Sequence, residues 1–202
     1  TQLKGREADR EIAEEAAVPP VLQPLTRPRF RQETAGLTAA EGGTATHLVL
    51  QYLDFADRDV KDQVERLRAR DLLTAEQAEA VDIRALERFL ASPLADDIRR
   101  GRNVLREYRF TLLMDAREYD PKAAGDDAIL LQGVVDCCFA AAEGLTVVDF
   151  KTDRVSGSGV RLRAERYRPQ IEAYSRALER VLERPVKRRV LYFLYPGETV
   201  EL

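Results

Sequence analysis

LQGVVDCCFAAAEGLTVVDFKTD, residues 131–153, is the stretch that decides the fold. Two apolar runs, 134–140 and 145–150, flank Glu143-Gly144. Short β-branched and apolar runs bounded by a glycine turn mark a β-hairpin. Both runs are apolar at nearly every position, as in strands with both faces covered. Asp136, Asp149 and Lys151 are the exceptions.

Side chains alternate faces along a strand, so Asp149 and Lys151 share one. A two-residue loop at Glu143-Gly144 pairs Ala142 with Leu145 and sets Asp136 opposite Lys151, on the face that carries Asp149. Val135, Cys137, Phe139, Val148 and Phe150 then fill the other face. A loop one residue longer would turn Asp136 over to that other face. In the first register, two carboxylates and one amine meet inside a sheet. Burying an unpaired carboxylate costs on the order of several kcal/mol, so buried charges are paired or bind a metal. The surplus negative charge suits a divalent cation, and carboxylate oxygens with water are the ligand set of Mg²⁺. The competing reading is an Asp–Lys ion pair with the second Asp at a strand end. A second Asp in register on the neighbouring strand favours the metal.

GVVD followed by VVDFKTD resembles the motif of the restriction-endonuclease-like PD-(D/E)-x-K nucleases. The nearest branch is the RecB type, which adds a His on an early helix and Q-x-x-x-Y on the helix after the D-x-K strand. His47 in GGTATHLVLQYLDF and Gln170 with Tyr174 in RPQIEAYSRALE match these. The likeness runs from about residue 44 to the end, with a weaker one in Thr1-Gln2-Leu3-Lys4. Its wording is most similar to the C-terminal nuclease part of bacterial helicase–nucleases that process double-strand breaks. The resemblance implies a mixed α/β, restriction-endonuclease-like core, with a small central mixed sheet flanked by helices and a helical N-terminal part. It implies a Mg²⁺-dependent DNA phosphodiesterase of the exonuclease type, with Mn²⁺ as a substitute. Asp136, Asp149, the Phe150 carbonyl and His47 would hold the metal. Lys151 would orient or deprotonate water, and Gln170 would position Lys151 or the phosphate. Tyr174 would pack behind it or stack on a base. Glu107, on the first core strand, would help hold the metal or its water; the alternative is an ion pair with Arg106 or Arg109. The implied partners are DNA, the helicase portion of a longer parent chain, and a second subunit.

At 202 residues, 45% hydrophobic and 33% charged, the chain suits one soluble domain. No apolar run approaches the roughly 20 residues that span a bilayer. The polar N-terminus shows no signal peptide, and the start at Thr1 suggests an excised fragment from a bacterial cytoplasm. The net charge of −3 excludes a binder of nucleic acid by bulk charge, so a basic DNA path has to be local. Cys137 and Cys138 point to opposite faces of a strand, which argues against a disulfide between them and for core packing. Two cysteines also cannot serve the iron–sulfur cluster of some stand-alone nucleases.

Residues 1–43 read as a linker or strap from a preceding helicase region, with a short exposed helix over 1–17 and prolines at 19, 20, 24 and 28. Residues 44–202 read as the nuclease domain. Glu41-Gly42-Gly43 closes the irregular part, and a helix over 44–55 puts Leu48, Tyr52 and Phe55 on the core, with His47 and Gln51 beside them. A second helix carries Val60, Val64 and Leu67. A capping box at Thr74-Ala75-Glu76-Gln77 opens a third, with Ala78, Val81, Ala85 and Phe89 inward. A short helix runs from Ser92-Pro93 to Gly101. Arg99, Arg100 and Arg102 face either DNA phosphate or the negative end of that helix. A strand over 104–114 puts Val104, Arg106, Tyr108, Phe110 and Leu112 on one side and Glu107 on the other. A polar loop covers 115–127. The Gly-rich loop at 156–159 is a DNA contact or a plain surface loop. The residue before a proline is pushed out of helix, so the last helix begins at Pro169. That puts Gln170 in a first turn that favours phosphate, with Ile171, Tyr174, Leu178 and Val181 on the sheet. A strand over 189–195 and an edge strand over 199–202 finish the chain. The rival from another class is a non-catalytic module that guides DNA or docks a subunit; the intact D-x-K charges favour the enzyme.

Overall fold

The structure, a computed structural model, describes residues 37–118, 122, 124–125 and 127–202. The strap and the short helix expected within 1–36 lie outside the described residues. Helix α1 (Ala39–Tyr52) starts earlier than the expected residue 44. Thr38 and Glu41 form a capping box, in which Glu41 N–H donates to Thr38 Oγ1 at 3.2 Å and Thr38 N–H donates to Glu41 Oε2 at 2.8 Å. Gly42 and Gly43 therefore lie within the helix. Gly43 allows a close approach, because a Cβ there would sit 3.2 Å from Thr152 Oγ1. The buried stripe is Ala45, Val49 and Leu50, not Leu48 and Tyr52; the Tyr52 side is exposed, and Phe55 is buried beyond the helix end.

Helices α2 (Val60–Ala69), α3 (Ala75–Ala80), α4 (Ile83–Leu90) and α5 (Pro93–Arg100) follow. The expected single helix through Val81 and Phe89 is two, because Asp82 accepts from Ala85 N–H at 3.0 Å and starts a new helix. Strands β1 (Arg102–Asp115), β2 (Ala128–Ala140), β3 (Leu145–Lys151), β4 (Val186–Phe193) and β5 (Glu198–Glu201) form one sheet in that order. Only β3 and β4 are parallel. They are joined by helix α6 (Ser158–Val181), whose crossover length a parallel pair requires.

Helix α6 does not begin at Pro169 but carries it inside. Val160, Ala164 and Tyr167 bury ahead of the proline, in line with Ile171 and Leu178 behind it. Burial of that long stripe offsets the hydrogen bond the proline removes. Gln170 thus sits in mid-helix, away from any helix N-terminus, and Val181 ends up partly exposed. The α1–α5 layer packs one side of the sheet, where Phe89 meets Phe55, Phe150 and Tyr192 edge-on at 5.0–5.2 Å. Helix α6 packs the other, over Val147, Leu191 and Phe193. Among the described residues no helix is long and apolar enough to cross a membrane.

Candidate active site

The β2–β3 ladder pairs Ala140 with Leu145 and ends at Cys137 opposite Val148. The connection is therefore four residues, 141–144, closed by Ala141 N–H donating to Gly144 O at 2.8 Å. This register is two residues away from the expected one. A shift of two preserves the face, so Asp136, Asp149 and Lys151 still belong together. It does change the pairing, since Asp136 now lies in line with Asp149 and not with Lys151. Beyond Cys137 the backbone ladder gives way to a side chain: Phe150 N–H donates to Asp136 Oδ2 at 2.7 Å.

Strand β1 departs from simple alternation, and so does β2. Arg106 pairs with Cys137, and Tyr108 with Val135. Val104, Cys137 and Phe139 face the α1–α5 layer, whereas Tyr108, Phe110 and Val135 face α6. Both strands exchange faces at Glu107 and Asp136, where Glu107 takes φ +48°. A non-glycine residue in that region is uncommon and turns the chain locally. Val135 consequently joins the α6 side, contrary to expectation. The two acids at this crossing reach His47 from α1: single ligand atoms of His47, Glu107 and Asp136 all lie within 4.8 Å of one another. His47 Nδ1 stands 3.3 Å from Asp136 Oδ1. Arg106 does not pair with Glu107. Its guanidinium lies 4.1 Å over the Phe55 ring and donates to the carbonyls of Leu50, Gln51 and Leu53. Helix α1 has no basic residue in its last turn, and Arg106 supplies the missing cation.

Lys151 is held on the other side of the site. Its Nζ is 2.9 Å from Asp149 Oδ2 and donates to Gln170 Oε1 at 3.2 Å. The Tyr167 ring centre lies 3.7 Å away. Gln170 Nε2 reaches Tyr174 Oη at 3.4 Å, and the Tyr174 ring meets Phe110 edge-on at 5.4 Å. Gly133, in the GVVD run, makes room for both rings: a Cβ there would fall 2.7 Å from Tyr174 Cε1 and 2.8 Å from Phe110 Cζ. Asp149 stays outside the His47–Glu107–Asp136 group. Its buried Oδ2 touches Lys151 but lies off the direction of a hydrogen bond.

Burial alone would lower the pKa of His47, but the charge and hydrogen bond of Asp136, with Asp149 and Glu107 behind, carry it up to about 9. Burial also opposes ionisation of Asp136. There the imidazolium, the Phe150 N–H and Lys151 win, and the carboxyl stays below its usual range. Asp149 goes the other way: burial, helped by Asp136, outweighs Lys151 and pushes it up to about 6. Glu107 is raised as well, by burial first and Asp136 second. The site thus gathers more carboxylates than it can charge and uses protons on His47 and Asp149 to compensate. A divalent cation would do the same. One imidazole, three carboxyls and an unsatisfied buried carboxylate oxygen form a donor set that fits such an ion.

Sequence reasoning missed Tyr167, Asp153 and Arg163. Tyr167 Oη donates to Asp153 at 3.0 and 3.2 Å, and Arg163 Nε lies 3.4 Å from Asp153 Oδ1. The signal was a tyrosine one turn before Gln170, visible only if the helix extends across Pro169. Arg99 is occupied structurally, donating to the carbonyls of Phe55 and Leu90 and pairing with Asp96, while Arg100 pairs with Asp97. Cys137 and Cys138 are free and buried in opposite cores; burial pushes their thiols up to about 12 and about 11.

Residues 22–201 match the PD-(D/E)XK nuclease superfamily, and the chain belongs to it. The five-stranded mixed sheet between helices is its restriction-endonuclease-like core. Within the family, the chain is similar over nearly its whole length to AddA, the nuclease-bearing subunit of the ATP-dependent helicase/nuclease of several bacteria. Identity is 37% over 98% of this chain with the Acetivibrio thermocellus protein and 38% over 98% with that of Desulforudis audaxviator. It is 34% over 100% with that of Bacillus cereus. The chain spans only 16–17% of the length of these relatives. Among solved structures, that of SSO0001 aligns over the whole chain and 77% of its own, at a TM-score of 0.38 and 12% identity.

Proposed function

We propose that this chain is a Mg²⁺-dependent deoxyribonuclease of the exonuclease type, acting as the nuclease part of an AddAB helicase–nuclease in double-strand-break repair and recombination. The observation that carries the reading is the convergence of His47, Glu107, Asp136, Asp149 and Lys151 where β2 and β3 part, in a chain of this superfamily. His47, Asp136, Asp149 and the Phe150 carbonyl would hold the ion, with Glu107 beside them. The ion, Mg²⁺ or Mn²⁺ in its place, would supply Lewis-acid stabilisation of phosphate charge and a more acidic water.

The chain's own residues do the rest. Asp136 accepts from Phe150 N–H, which fixes its second oxygen and the end of β3 together. Lys151, buried between Asp149 and Gln170, presents a cation at the reaction centre and offsets charge that develops on phosphate. Gln170 fixes that ammonium through its amide oxygen and is itself steadied by Tyr174. Tyr174 packs on Phe110 behind the site, which favours a supporting role over base stacking. The partners would be DNA, the helicase portion of a parent AddA chain, and AddB. The cell compartment would be the bacterial cytoplasm.

The test is cleavage of end-labelled single-stranded DNA with Mg²⁺ and with EDTA, by the wild type and by Asp149→Ala. Cutting that needs the metal and disappears in the variant is the expected result. No cutting by either protein, together with no metal uptake in calorimetry, would replace the enzyme with a non-catalytic module that guides DNA or docks a subunit.

A further inference from the structure

A lysine ammonium is a point charge on a flexible four-carbon stem, and its position must be imposed. Asp149 and Gln170 each contact Lys151, but Asp149 also faces the metal position and the Gln170 contact is a single hydrogen bond to a neutral amide. The remaining contact is aromatic. Lys151 Nζ lies 3.7 Å from the centre of the Tyr167 ring, and both residues are only 6% exposed. A desolvated cation over a ring face is the strong form of this interaction. The ring is held at its far end: Tyr167 Oη donates to both oxygens of Asp153, and Asp153 is paired with Arg163. Asp153 follows Lys151 by two residues, whereas Arg163 and Tyr167 belong to α6. The brace therefore ties the end of β3 to the helix at the point where the lysine must be aimed.

We propose that Tyr167, braced by Asp153 and Arg163, is a positioning residue that fixes the Lys151 ammonium for cleavage. The proposal rests on the nuclease reading above. A tyrosine that merely fills the core would support the fold without regard to Lys151, and the two roles separate by experiment. In the intact protein, Tyr167→Leu should lower kcat on the order of ten- to thirtyfold, with KM for DNA and the affinity for Mg²⁺ unchanged. Tyr167→Phe keeps the ring and should recover most of that loss. In a Lys151→Ala background, Tyr167→Leu should have no further effect on the residual rate. Side-chain NMR reads the contact without any turnover. The Lys151 ε-methylene signal, assigned through Lys151→Arg, should lie upfield in the wild type and in Tyr167→Phe and return to the ordinary range in Tyr167→Leu.

Equal rate losses from Tyr167→Leu with and without Lys151, or a rise in KM alone, would overturn the proposal. So would a wild-type Lys151 signal at the ordinary shift, whether or not the protein cuts DNA. An upfield signal in a wild type that does not cut would support the contact and overturn the nuclease reading.

Discussion

His47, Glu107 and Asp136 come from three elements and meet where β1 and β2 break their alternation, while Asp149 and Lys151 stand two apart on the regular strand β3. The first group keeps some access to solvent, with 29% of the His47 side chain exposed against 8% for Lys151. Irregular backbone gathers ligand atoms that a flat sheet would spread over two faces. Regular backbone, buried on both sides, gives a charged pair the fixed environment in which its field is strong. The site needs both, one half able to exchange protons for an ion and the other unable to move.

The comparison is broken most directly from the β3 side. Asp149→Ala is expected to cost more than about a thousandfold in cleavage rate, since it removes a metal ligand worth several kcal/mol of transition-state stabilisation. Lys151→Ala should cost about a hundred- to ten-thousandfold while still taking up Mg²⁺. Calorimetry on the two variants, with circular dichroism to verify the fold, reads the difference. A Lys151→Ala protein that no longer takes up the metal would show that the two halves are one unit.

The His47 half should declare itself through pH. Only a neutral imidazole binds a metal, and His47 holds its proton up to about 9 in the metal-free protein. Ion binding must expel that proton below about 9, so affinity rises with pH, by close to tenfold per unit from this group, and levels off above it. Below about 6 the Asp149 carboxyl also holds a proton, and the dependence steepens. Calorimetry at pH near 7.5 in buffers of different ionisation enthalpy should count about one proton released per ion. His47→Gln should bind more weakly and with a flatter profile. A wild-type affinity that does not change with pH across this window would remove His47 from the ligand set.

Much of the β3 half was legible in the sequence because period-two alternation carries register information and a shift of two residues preserves the face. The motif residues Gln170 and Tyr174 came from resemblance, and the helix that holds them was cut short at Pro169 by a rule that a long buried stripe overrode. The crossing at Glu107 and Asp136 was not legible. Nothing in REYRF signals a positive φ, because the preference for left-handed backbone belongs to glycine and asparagine and tertiary packing imposed it here. The early start of α1 was legible in Thr38-x-x-Glu41 and was hidden by the glycine pair that follows.

Arg106 joins the halves mechanically, since it is on β1 and holds the end of the helix that carries His47. Arg106→Ala should lower stability by about 1–3 kcal/mol, because it leaves α1 carbonyls without donors, and should weaken metal uptake through His47. Denaturant unfolding gives the first effect and calorimetry the second. A variant that loses stability but takes up the metal as before would mean that His47 is placed by the core stripe alone.

The smallest effect separates two adjacent glycines. A Cβ at Gly42 would meet nothing within 4 Å, so Gly42→Ala should stabilise α1 by about 0.5–1 kcal/mol with cleavage unchanged. The same methyl at Gly43 would stand 3.2 Å from Thr152 Oγ1, directly after Lys151. Thr152 is β-branched and stiff at χ1, so part of the helix gain is lost to crowding. Gly43→Ala should therefore stabilise less than Gly42→Ala, and Thr152→Ala in the same chain should restore the difference. Equal stabilisation by both glycine variants in thermal melts would show that α1 does not press on the end of β3, and that the two halves of the site meet without that contact.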